Sequence, residues 1–152
     1  MGRWKIAVLA VCAVAGCAKT PEATLSVHDA WIRLPAVDGR PGAAYFTVSG
    51  GSADDRLLKV SSPAVSGIEL HEGGMANGRM TMRPIDGIDV PKGTEVKLAP
   101  GGNHAMVYGI DRTAAGGGEL PLTFAFRSGA NLTVEARLVP AGATGPGEPA
   151  AH

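Results

Sequence analysis

Ten short segments of alternating character, separated by turn-forming residues, predict an all-β domain of the Greek-key sandwich or barrel type. No window of 11 or more residues downstream of residue 17 carries a convincing 3.6-residue period, which argues against helices. The composition agrees: 22 glycines and only three phenylalanines describe a core of aliphatics between many tight turns.

The first candidate strands are Leu25–His28, Ala30–Arg33 and Ala44–Val48, with Asp38-Gly39 as a turn before the third. Arg56–Val60 follows the Gly50-Gly51 break, and Gly67–His71 follows Ser66. Arg79–Arg83 alternates around two methionines. Glu95–Leu98 follows Pro91-Lys-Gly93, and Ala105–Tyr108 follows Pro100-Gly-Gly-Asn103. Leu120–Phe126 and Leu132–Leu138 are two long alternating runs joined by a short turn, as in a hairpin. Residues 24–140 therefore form the folded domain. Residues 141–152 are Gly-, Ala- and Pro-rich, and a disordered tail is expected there.

The N-terminus reads as a bacterial lipoprotein signal over residues 1–17. Arg3 and Lys5 precede the uncharged apolar run Ile6–Val14, and Val14-Ala15-Gly16-Cys17 forms a lipobox ending on the cysteine that would carry lipid. Each buried methylene contributes about 0.8 kcal/mol, so several acyl chains on Cys17 would hold where one would dissociate. Residues 18–23 form a short polar tether. The expected location is the periplasmic face of a membrane. Ala18 rather than Asp after the cysteine resembles outer-membrane sorting in a diderm cell.

Cysteine and charge exclude several functions. Cys12 leaves with the signal and Cys17 is consumed by lipid, so the mature domain offers no thiol nucleophile, no zinc-thiolate and no blue-copper ligand. Of 14 basic residues, two lie in the signal, leaving 12 against 14 acidic ones and a formal charge of −2. With no basic run and few aromatics, nucleic acid is not an expected partner. Nothing resembles a nucleophile elbow, and a non-enzymatic role is expected.

The chemistry concentrates between residues 71 and 106, where all four methionines beyond residue 17 lie together with His71 and His104. On a strand, Glu69 and His71 share one face, as do Met80 and Met82 and likewise His104 and Met106. Three segments can thus bring imidazole and thioether groups to one point. Neutral thioethers with imidazoles suit Cu(I), whereas zinc, magnesium and calcium favour thiolate, imidazole or oxygen donors. Affinity for the metal is expected to fall in acid, because imidazole ligates only when neutral.

The spacing His71, ten residues, Met82, twenty-one residues, His104, one residue, Met106 resembles the H-x10-M-x21-H-x-M motif of the PCu(A)C periplasmic copper chaperones. Asp29-Ala-Trp31, Ser61-Ser-Pro63, Glu69-Leu-His71-Glu72, Met82-Arg-Pro84 and Pro100-Gly-Gly102 add to the similarity, which covers roughly residues 25–138. The resemblance implies a cupredoxin-like fold, Cu(I) held by His71, Met82, His104 and Met106, and delivery to the CuA centre in subunit II of cytochrome c oxidase, often alongside Sco-type proteins. The chain departs from many relatives by having Glu72-Gly73 where they carry a methionine after the first histidine. Its tail also offers only His152, so no second copper site is expected there.

Met75, read as part of an exposed Gly73–Gly78 loop, and Met80, read as packing at the core or rim, are auxiliary thioether candidates. Asn103 is expected to shape the turn before His104 and is a candidate to support that ring by a hydrogen bond. Trp31 reads as a core anchor and His28 as a surface residue on an edge strand. The alternatives to copper delivery are a copper-buffering or resistance protein using the same four ligands without a dedicated acceptor, and an interaction module whose methionines form only an apolar patch.

Overall fold

A computed structural model describes residues 22–111, 113 and 118–147. The lipobox, Cys17 included, lies outside these residues, as does His152. All ten regular elements among the described residues are strands: β1 Ser26–Arg33, β2 Gly42–Ser49, β3 Asp55–Ser61, β4 Gly67–Ala76, β5 Arg79–Pro84, β6 Ile88–Val90, β7 Glu95–Leu98, β8 His104–Tyr108, β9 Glu119–Phe126 and β10 Asn131–Val139. The expected all-β class is therefore what forms, and β6 is the one strand that the sequence pattern does not predict.

The strands hydrogen-bond in the order β5-β4-β8-β2-β1-β10-β9-β3-β6, with β7 paired to β2. Crossovers place β8 between β4 and β2 and β9 between β10 and β3, the non-sequential neighbours of a Greek-key arrangement. Strand β2 changes partner along its length, with Gly42–Ala44 facing β8 and Phe46–Ser49 facing β7. The sheet rolls onto itself. Phe46 on β2 meets Phe124 on β9, three strands away, edge to face at 4.7 Å.

Inside this roll lies the main core, in which Ile32, Val48, Leu57, Val90, Leu122 and Phe124 are all fully buried. Strand β1 reaches that core from both halves only because it carries a bulge. Val27 and Ile32 both point inward although they are five positions apart, an odd offset that would put them on opposite faces of a regular strand. The register shift between His28 and Trp31, with Asp29 at φ 53°, supplies the extra residue that reverses the facing. The bulge also merges the two segments expected over 25–33 into one strand. That strand lies between β2 and β10, but β10 pairs only with Trp31–Arg33, so at His28 the strand is paired on one side, with β2.

A smaller cluster forms on the opposite face. The rings of Trp31 and Tyr45 pack with centroids 4.4 Å apart, tilted by 36°, and are covered by Val139 and the fully buried Ala143. Residues 141–147, expected to begin a disordered tail, instead turn back so that Ala143 covers these rings. The physical reason is area: two large aromatics on an otherwise open face gain more from a cover than the short segment loses in freedom.

Candidate metal centre

The candidate site lies on the outer face of β4, β5 and β8, next to the second cluster. Register fixes this. His71 is paired directly with His104, Leu70 with Ala105 and Ile68 with Val107. Leu70, Ala105 and Val107 are core residues, so His71, His104 and Met106 must point the other way. On the far side of β4, Met82 is paired with Gly73, two residues from His71 and thus on the same face. The structure therefore brings the four motif residues to one face of three adjacent strands.

The two imidazole rings lie nearly parallel, 14° apart, with centroids 5.8 Å from each other. Each is anchored through Nδ1 to a backbone carbonyl two residues before it in the chain. His71 Nδ1 lies 3.2 Å from the Glu69 carbonyl and His104 Nδ1 lies 3.0 Å from the Gly102 carbonyl. A carbonyl can only accept, so Nδ1 carries the proton and a neutral ring presents its Nε2 lone pair outward. This tautomer leaves Nε2 as the nitrogen free to ligate a metal, and the backbone sets it before any ion arrives.

Burial grades across the site. His104 is 7% exposed, His71 and Met106 are half-buried, and Met82 is 59% exposed. A groove of about 370 Å³ runs past the sulfur side of the site and is lined in part by Arg33, Tyr45, Met80, Met82, His104 and Met106. At its far wall Arg33 donates to the Tyr45 hydroxyl at 2.7 Å. Burial pushes the Tyr45 hydroxyl above its usual pKa, against the opposing pull of the Arg33 charge. The groove wall is therefore a neutral phenol beside a fixed cation. On the same face, Tyr108 donates to Glu69 at 3.2 Å. Its pKa is raised by burial first and by the Glu69 carboxylate second.

Gly73 and Gly102 hold the geometry through a mutual contact that the sequence pattern does not show. The loop over 100–103 crosses so close to Gly73 that a Cβ there would lie 2.2 Å from the Gly102 oxygen. That oxygen is the acceptor for His104. Gly73 is thus the floor on which the His104 loop rests. Asn103 remains a residue of the turn, and the hydrogen bond that fixes His104 is the one its Nδ1–H donates to the Gly102 carbonyl.

The two auxiliary candidates also differ from expectation. Met75 lies on β4, paired with Met80 on β5, not in a loop. Asn77 (φ 51°) and Gly78 (φ 73°) make the two-residue turn between the strands, both in the left-handed region that a type I′ hairpin demands. Met80 is 60% exposed and packs into no core. Beyond this face, Arg83 donates to Glu72 at 2.6 Å across the hairpin. Among the described residues no group of three His, Cys, Asp or Glu side chains could hold a metal, and the further soft donors on this face are thioethers.

Residues 25–138 match the family described as "Putative lipoprotein LpqE-like". The chain belongs to the LpqE-like family. It is also 31% identical over 111 residues to "Putative lipoprotein Lxx21020" of Leifsonia xyli subsp. xyli, a match spanning 72% of this chain and 66% of that protein. Among solved structures, the copper-bound PCuAC domain from PmoF2 superposes with a TM-score of 0.62 at 22% identity, over 80% of this chain and 99% of that one. Apo-DR1885 from Deinococcus radiodurans gives 0.56 at 22% identity, over 95% and 99%. CuI-DR1885 gives 0.52 at 26% identity, over 82% of each chain. The LpqE-like chain thus has the PCuAC fold, as its motif spacing implied.

Proposed function

We propose that this LpqE-like protein is an exported, lipid-anchored copper chaperone. It carries one Cu(I) between Nε2 of His71 and His104 and the sulfurs of Met82 and Met106. The observation that carries the proposal is the His71–His104 pair: two near-parallel rings, each tied back through Nδ1, beside two thioethers on the same face. Soft neutral donors of this kind favour a soft monovalent ion. That a PCuAC domain and DR1885 have been solved with copper bound, the latter as CuI, supports the same reading.

The gradient of exposure suits a carrier. Hand-over proceeds by ligand exchange, in which an incoming donor bonds the metal before an old one leaves. Met82 stands open to that attack, while buried His104 holds on longest. The acceptor we propose is the CuA centre in subunit II of cytochrome c oxidase, with a Sco-type protein as a further partner.

Titration of the chain with Cu(I) against a chromophoric chelator tests the binding. One equivalent should be taken up, and the affinity should collapse in His71→Ala and His104→Ala. Delivery is tested by deleting the gene in copper-poor medium. Lower CuA content is expected. Intact oxidase with heightened copper sensitivity would mark a buffering protein instead.

A further inference from the structure

The β4–β5 hairpin carries more sulfur than four-ligand binding uses. Met75 and Met80 are directly paired, and Met82 is two residues along from Met80. All three therefore project from the hairpin face that holds His71. They are 68%, 60% and 59% exposed, and every residue of β5 is exposed. Methionine ordinarily serves to fill core gaps. None of these three reaches either hydrophobic cluster, so packing does not account for them.

Directly paired residues have Cβ atoms about 4.5–5.5 Å apart and diagonal ones about 7–8 Å, within reach of long flexible side chains. Three thioethers can then converge on one ion. Met80 and Met82 also line the groove that holds His104 and Met106, so the sulfur row continues into the main site without a break.

We propose that Met75, Met80 and Met82 form a second, weaker Cu(I) station on the hairpin arm, from which the ion passes to the histidine pair with Met82 as the shared ligand. The proposal rests on the copper-carrier reading for its destination. In the step itself, bonds from His71 and His104 Nε2 and Met106 sulfur to copper form while those from Met75 and Met80 break. Copper stays monovalent and no electron moves. Neutral imidazoles require no proton to leave. The station is the weaker because its ligands are exposed and free to rotate, whereas each histidine is held by a backbone carbonyl.

The test uses the full chain, methyl-labelled at methionine, with Ag(I) as a redox-inert stand-in for Cu(I). In His71→Ala/His104→Ala, Ag(I) should shift the Met75, Met80 and Met82 methyl resonances, and adding Met75→Leu/Met80→Leu should abolish the shift. In a chain with both histidines, Met75→Leu/Met80→Leu should slow loading from and unloading to a small chelator together, each about tenfold or more, as expected for a path rather than a binding contact. Leucine preserves the apolar volume, and amide spectra verify the fold. Unmoved methyls in the histidine-free chain, or exchange at the parent rate in the double variant, would overturn the proposal. Failure of the parent chain to bind Cu(I) at the histidines, with the methyl shifts intact, would instead remove the carrier reading and leave the hairpin station standing.

Discussion

Gly73→Ala isolates the contact on which the His104 geometry depends. The added methyl carbon would lie 2.2 Å from the Gly102 oxygen and 2.9 Å from its carbonyl carbon, where ordinary contact begins at 3.4 Å. Backbone cannot rotate away as a side chain can, so the 100–103 loop must retreat by about 1.2 Å, the difference between 3.4 and 2.2 Å. Such overpacking costs about 1–3 kcal/mol, or several degrees of Tm. The displaced oxygen is also the acceptor for His104 Nδ1, at 3.0 Å before the change. Loss of that one bond, worth about 0.5–1.5 kcal/mol net, weakens Cu(I) binding roughly 2- to 12-fold even if nothing else moves. The control is next door. At Gly74 an added Cβ meets only the Thr81 hydroxyl, at an ordinary 3.6 Å. Chelator competition and thermal unfolding on both variants give the answer. The reasoning is refuted if Gly73→Ala binds copper and melts like the parent, or if Gly74→Ala is as damaging.

Other consequences are smaller in scope. Gly78→Ala puts a side chain into the left-handed turn position with open space around it, so the penalty is backbone strain of about 1–2 kcal/mol. Amide exchange should quicken across β4–β5 and stay unchanged across β9–β10. Asp55 accepts from the Ser128 hydroxyl at 2.6 Å, the Ser128 amide at 3.1 Å and the Arg56 amide at 2.8 Å, pinning the β9–β10 turn to β3. Burial alone would raise its carboxyl, but these bonds and the Arg127 charge outweigh it and hold the pKa below its ordinary 3.8. Its contribution is therefore fully present above that value and lost as pH falls through the lower folded one. Asp55→Ala should cost about 1–2 kcal/mol at neutral pH and flatten the acid limb of the stability profile. Phe124→Ala removes a fully buried ring packed on Phe46 and should cost about 3–5 kcal/mol in denaturant unfolding.

Much of this fold is legible in the sequence because a two-residue period maps directly onto strand faces. The same rule suffices to put His104 with Met106, and Met80 with Met82, on shared faces. What escapes it is whatever depends on contacts between distant segments. The bulge at Asp29 has no sequence period of its own, and β6 is only three residues long. Asn77-Gly78 is a strong hairpin signal, yet the neighbouring Gly73-Gly74 makes the whole stretch read as a loop and hides the pairing of Met75 with Met80. Gly73 is glycine because of a loop 29 residues downstream, at Gly102. The cover provided by Ala143 likewise exists only once Trp31 and Tyr45 have come together.

X-ray absorption at the copper edge of the Cu(I)-loaded chain tests the ligand assignment most directly. Two nitrogen and two sulfur neighbours are predicted at roughly 2.0–2.3 Å, the range of first-row metal bonds to these atoms. One sulfur should be lost in Met106→Leu and one nitrogen in His104→Ala. A spectrum of nitrogen and oxygen alone, or one indifferent to both substitutions, would contradict it.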